Sequence, residues 1–220
     1  MDKELIFKEI KKASISDKNI LIPELCTGMK VLDVGCVGQD FDYDSPGWMH
    51  NKIKNTAFSV DGVDIDSEGI TKLREKGYNI FSPDELKSTG RMYDIIVMSD
   101  VIEHVDDPVA FLKFYSVFLS KTGRIIITTP NAHGIRNFTS ILIRNSYSVN
   151  PEHTFWFCPK TMLEVTSRAG LKYAGFYWSG EYSKMGDLKG FKYKFIYLFN
   201  RFFEKMRSNY NPNFMFIASK

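Results

Sequence analysis

Short apolar runs alternate along this chain with stretches of helical period, the pattern of a doubly wound, mostly parallel α/β sheet covered on both faces. Residues 30–34, 58–64, 78–81, 93–98, 123–129, 171–178 and 214–218 read as seven strands. Those at 93–98 and 123–129 contain continuous runs rich in β-branched residues, as expected of central strands. Leu5, Ile6, Ile10 and Ile15 among lysines predict a surface helix at the start. A helix over 67–76 has Ser67 as its predicted N-cap and Gly77 as its stop. Residues 108–119 form a helix with a broad apolar face, and 160–168 form another, ended by Gly170.

Composition narrows the class. With 220 residues, 44% hydrophobic and 25% charged, the chain fits one well-buried domain over 1–220 better than two. No apolar run reaches about 18 residues. The start, Met1-Asp2-Lys3-Glu4, lacks a basic-then-apolar signal pattern, so a cytoplasmic location is expected. Cys26, Cys36 and Cys158 form no C-x-x-C pair, which argues against a disulfide framework or a zinc site. No metal-ligand spacing is visible.

Candidate chemistry begins at Gly35 and Gly38, in the turn after the apolar run 29–34. Glycine lets backbone approach a ligand closely. Asp64 follows 29 residues after Gly35, at the end of the next strand, where a carboxylate can accept hydrogen bonds from both hydroxyls of a ribose. Together they describe a nucleotide-type pocket.

The succession Val31-Leu32-Asp33-Val34-Gly35-Cys36, Gly62-Val63-Asp64-Ile65-Asp66, Tyr93 to Val97 leading into Val101-Ile102-Glu103-His104-Val105, and Ile127-Thr128-Thr129-Pro130-Asn131 resembles the class I S-adenosylmethionine-dependent methyltransferase family. Glu152-His153 and the stretch ending Ala169-Gly170-Leu171 resemble its small-molecule branch, which includes quinone and sugar methyltransferases. The resemblance implies S-adenosyl-L-methionine as cofactor and an antiparallel last strand. By position it places Asp33, Gly35 and Gly38 along the methionine portion, Asp64 on the ribose and Asp84 near the adenine amino group, with Ile65 as a further cofactor-binding residue. Ser99 and Asp100 would lie beneath the sulfonium. The loop departs from the family where Val37 and Gln39 replace two glycines, and 40–57 is longer and more polar than usual; Trp48 and His50 in it are further candidates for the cofactor or substrate edge.

A hydroxyl acceptor needs its proton removed, and histidine titrates in the right range. His104 and His153 both follow strands on the expected ligand side, and His153 is the first candidate for the base. Bland roles stand beside these: Glu103 and His104 as a loop cap before Pro108, His153 as a packed loop residue, His133 as exposed, Asp61 as a surface carboxylate, Asp66 as a helix start. The function that follows is O-methylation of a sugar or related polar metabolite. A non-catalytic binding module on the same fold is the rival. A nicotinamide dehydrogenase fails on the loop, because Val37 and Asp40 stand where G-x-G-x-x-G needs glycine.

The formal charge of +3 is unevenly spread: residues 181–220 hold eight Lys/Arg against three Asp/Glu. Residues 181–211 read as an insertion between the last two strands, with Phe195, Ile196, Phe199, Phe202, Phe203 and Met206 at helical spacing. Such a basic aromatic helix packs on the domain or on a second copy in a homodimer, meets an anionic membrane through 191–207, or covers an anionic or lipid-linked substrate. Small net charge and the lack of a recognition motif argue against nucleic acid.

Overall fold

The structure is a computed structural model that describes residues 2–38, 43, 45–147, 150–180 and 190–220, without the side chains of 144 and 191–193. Gln39 and the first part of the insertion, 181–189, lie outside the described residues. Strands β1 (Ile15–Ser16), β2 (Lys30–Val34), β3 (Ser59–Val63), β4 (Ile80–Phe81), β5 (Tyr93–Ser99), β6 (Leu119–Pro130), β7 (Lys172–Ser179) and β8 (Asn213–Ser219) form one sheet. Its order is β1-β7-β8-β6-β5-β2-β3-β4. Only β8 runs antiparallel to its neighbours, β6 and β7.

Nine α-helices lie among the described residues: α1 (Lys3–Lys12), α2 (Lys18–Leu25), α3 (Met49–Lys54), α4 (Ser67–Glu75), α5 (Pro83–Thr89), α6 (Pro108–Ser116), α7 (Ile135–Arg144), α8 (Pro159–Arg168) and α9 (Phe191–Met206). Period-2 alternation decides which side chain meets which layer. Leu32, Val34, Ile96, Met98, Ile125 and Ile127 join Ile6, Ile10, Leu112 and Met162 in one core. The intervening Val31, Ile95, Val97 and Ile126 pack with Ile22, Cys26 and Ile53 on the opposite face. Each fully buried aliphatic side chain contributes roughly 1.5–3 kcal/mol, which makes these two layers the main source of stability.

Three expectations need correction. The sheet has eight strands rather than seven, because Ile15 belongs to β1 and pairs with Trp178 of β7 instead of continuing the first helix. Helix α6 ends at Ser116, and Leu119 opens the long strand β6. Asp66, not Ser67, caps α4: its carboxylate accepts from the Glu68 amide at 3.0 Å.

Candidate functional site

The strand order reverses between β2 and β5: the chain winds outward through β3 and β4, then returns to β5 on the other side of β2. Neighbouring loops diverge at such a switch point and leave a crevice at the carboxyl ends of the strands. A cleft of about 300 Å³ opens there, lined by Asp33, Gly35, Gly38, Trp48, Ser99 and Asp100 among others. Gly35 (φ 75°) and Gly38 (φ 63°) sit in the left-handed region. A Cβ on Gly35 would stand 2.5 Å from Val101 Cγ2, so the turn depends on glycine there.

The carboxylates around this cleft are anchored. Asp64 accepts the amides of Val37 (2.9 Å), Ile65 (2.7 Å) and Asp66 (3.1 Å). A carboxylate offers about four acceptor sites, so one is left for an incoming hydroxyl. Asp33 is buried and its Oδ2 lies 3.0 Å from His50 Nδ1, while His50 Nε2 has no partner among the described residues. Trp48 stacks on His50 with ring centroids 5.0 Å apart and donates its Nε1–H to the Cys36 carbonyl. Asp100 has φ 56°, unusual outside glycine. Its amide and carboxylate bond Thr128, and Lys18 bonds its other carboxylate oxygen.

The two replaced glycines were the main departure from the family pattern. Val37 turns its side chain away from the cleft, into a cluster with Cys36, Trp48, Ile70, Leu73 and Ile80. Room for it exists because α4 carries Gly69, whose added Cβ would stand 2.3 Å from Val37 Cγ1. Cys36 is buried and desolvated, which pushes its thiol well up, and Cys26 is pushed up to about 12. Ile65 is exposed. Asp84 stands in the first turn of α5, almost wholly exposed and bonded to Lys87, outside the cleft lining.

A second, smaller cleft of about 70 Å³ lies beyond β6, lined by Glu103, Thr129, Asn131, His153, Phe155 and Trp156 with others. His104 and His153 meet edge to face at 4.6 Å between ring centroids. Burial, then the neighbouring His104, lowers the His153 pKa from its ordinary value. Glu103, weighed from sequence as a loop cap, is only 1% exposed; the cap of α6 is Asp107. Thr129 Oγ1 donates to Glu103 Oε2 at 3.0 Å, while Oε1 has no partner among the described residues. Burial, with Asp100 adding to it, raises its carboxyl to about 8. The Glu103 carbonyl accepts the amides of Thr154 and Phe155, which ties the His153 loop to the end of β5. One ligand atom from each of Glu103, His104 and His153 lies within 4.8 Å of the others, compact enough to share a proton or one cation. His133 is exposed, while Asp61 is buried and bonded to Asn79, Arg91 and Tyr93, contrary to a surface role.

A cleft at the switch point, a glycine turn and an anchored acid after β3 define the architecture of a nucleotide-cofactor enzyme. A family model for a methyltransferase domain matches residues 4–174, and the chain belongs to that family. It is 31% identical over 137 residues to a ubiquinone biosynthesis O-methyltransferase of Pelagibacter ubique (strain HTCC1062), covering 59% of this chain. The chain spans about half the length of the curated relatives it matches, 50% in that case. Among solved structures, an S-adenosylmethionine-dependent methyltransferase from Archaeoglobus fulgidus superposes with a TM-score of 0.59 at 20% identity, covering all of both chains. The [4+2]-cyclase SpnF superposes at 0.58 with 14% identity, covering 92% of this chain and 80% of its own. That second likeness shows that the fold alone does not name the reaction.

The first cleft fits the family's cofactor, S-adenosylmethionine. Its acceptors are carboxylates, suited to an ammonium, a sulfonium and ribose hydroxyls, and the buried, unpartnered His50 Nε2 gives a polar atom on the cleft wall.

Proposed function

We propose that this chain transfers a methyl group from S-adenosylmethionine to a hydroxyl oxygen of a small molecule. The observation that carries the reading is the junction of the two clefts: Asp100 lines the first and Glu103, three residues on, lines the second. Bound in the first cleft, the cofactor supplies a methyl group already activated on a cationic sulfur. What is left to the protein is orientation, which can supply about 7–11 kcal/mol in favourable cases, and removal of one proton.

Asp33, Asp64 and Asp100 hold the donor, with Gly35 and Gly38 allowing close approach. His153 takes the acceptor's proton: its depressed pKa keeps the ring neutral and able to accept near neutral pH. His104 beside it disfavours a positive charge on the ring and so helps keep His153 unprotonated until the acceptor's proton arrives. Phe155 and Trp156 offer aromatic faces to a ring that bears the hydroxyl. Such a ring is a sugar or, as the relatives' name favours, a quinone precursor with a phenolic hydroxyl.

A second reading rests on the compactness of Glu103, His104 and His153: the same three atoms suit a divalent cation that would acidify the hydroxyl in place of the histidine base. Dialysis against a chelator separates the two, since loss of turnover restored by added magnesium or zinc selects the cation. The decisive experiment is incubation with methyl-labelled donor and fractionated cell metabolites, followed by mass spectrometry. A methyl ether among the products is expected; donor binding with no methylated product would select the binding-module alternative.

A further inference from the structure

Helices normally bury their apolar stripe and show water their polar one. Helix α9 does the reverse. Phe195, Leu198, Phe202 and Met206, along one face, point outward, with Phe195 61% and Phe202 59% exposed. Its inward face carries Asn200 and Glu204, the latter only 2% exposed. Glu204 is held there by Arg136 of α7 at 3.3 Å and by Arg201 at 3.1 Å. Helix α7, packed beside α9, is built the same way: Thr139 is buried, Phe138 points outward and Leu142 is 87% exposed. The charged side chains thus fasten the two helices together, while each of these neighbouring helices turns several large apolar side chains to the outside, more than the single scattered ones ordinary on a monomer.

We propose that this α7–α9 surface docks in the plane of an anionic lipid bilayer. Charge selects the occupant. Residues 135–147 and 190–207 contain seven Lys/Arg and a single acid, the buried Glu204; Arg136 and Arg201 pair with it, which leaves five cations in excess of that cluster. Lys194 and Lys205 are exposed at either end of the apolar stripe on α9. Two-fold pairing with a second copy sets these cations against their own counterparts, whereas lipid phosphates pair with them while the aromatic side chains enter the acyl boundary. No helix among the described residues is long and apolar enough to cross a membrane, so the contact is peripheral. Asn137 of α7 lines the second cleft, so the docked surface adjoins the place where the acceptor enters. That last consequence rests on the methyl-transfer reading; the lipid contact does not.

The test is flotation of the full chain with vesicles of equal parts phosphatidylcholine and phosphatidylglycerol, and with phosphatidylcholine alone. Flotation with the mixed vesicles is expected, about tenfold weaker without the anionic lipid and reversed by high salt. The double variant Phe195→Ser/Phe202→Ser should lose it, and Lys194→Glu/Lys205→Glu should weaken it about tenfold. Both keep the melting temperature and the S-adenosylhomocysteine affinity of the parent, which shows that folding and the donor site are intact. Three results would overturn the proposal: no flotation with either vesicle, flotation unchanged in the Phe195/Phe202 variant, or a stable dimer in light scattering that this variant turns into a monomer. Flotation without any affinity for S-adenosylhomocysteine would leave the lipid contact standing and remove the methyl-transfer reading instead.

Discussion

The two clefts share one turn of chain after β5 and differ in how their carboxylates are satisfied. In the first, Asp100 is held by Thr128 and Lys18 and Asp33 by His50, and the adjoining Asp64 is held by three backbone amides. In the second, Glu103 is deeply buried with one oxygen unpartnered and two imidazoles beside it. Fixed charge, anchored by protein donors with acceptor capacity to spare, suits the holding of a cationic donor that must not move. An under-satisfied carboxyl with raised pKa, near an imidazole with lowered pKa, suits a place where a proton changes hands. Each is the wrong design for the other task.

His153→Ala breaks the comparison on the proton side. Turnover should fall by about 10²- to 10⁴-fold while S-adenosylhomocysteine affinity, read by calorimetry, stays unchanged. Equal loss of donor affinity would place His153 on the wrong side of the junction. The lowered His153 pKa also puts the acidic limb of the rate profile below the ordinary imidazole value.

On the donor side, Gly35→Ala should weaken S-adenosylhomocysteine binding by about a hundredfold, since a side chain there meets Val101 and a left-handed backbone. Retained affinity would mean that the turn does not shape the pocket. Val37→Ala sharpens the same point from the other direction. It should cost about 2 kcal/mol of stability in denaturant melts and leave donor affinity alone, because the side chain packs on Gly69 and not in the cleft. Tighter donor binding in this variant would show that Val37 obstructs the site.

Glu103→Gln tests the buried carboxyl through the pH dependence of stability. The folded pKa of about 8 lies above the unfolded value, so between roughly 4.3 and 8 the native state keeps a proton that the unfolded chain has lost. The parent therefore loses stability as pH rises through that window, by up to about 1.4 kcal/mol per pH unit, and regains it below. Melting curves of the glutamine variant should lack this component. A parallel pH dependence in both would show that Glu103 titrates normally.

Much of the donor side was legible because backbone demands leave residue types behind: glycine at Gly35 and Gly38, an acid after β3, β-branched runs in β5 and β6. The two-residue strand β1 and the short helices α2, α3 and α5 were not, although β4, also of two residues, was read within 78–81. β1 is held by pairing with β7 rather than by any pattern of its own, and α2 carries Pro23 inside it. α7 escaped because its segment follows the turn-like Asn131-Ala132-His133-Gly134 and its apolar face is turned outward. The role of Glu103 depends on Thr129 and on the 154–155 loop, partners 26 to 52 residues away, which no local window contains. The compensation of Val37 by Gly69 is a contact between a loop and a helix of the same kind, invisible until both are placed.

Calorimetric titration of the parent chain with S-adenosylhomocysteine tests the donor cleft most directly. Saturable one-to-one binding near micromolar affinity, about −8 kcal/mol, is the expected result, and Asp64→Ala should weaken it. Absence of heat at millimolar ligand would contradict the account at its root.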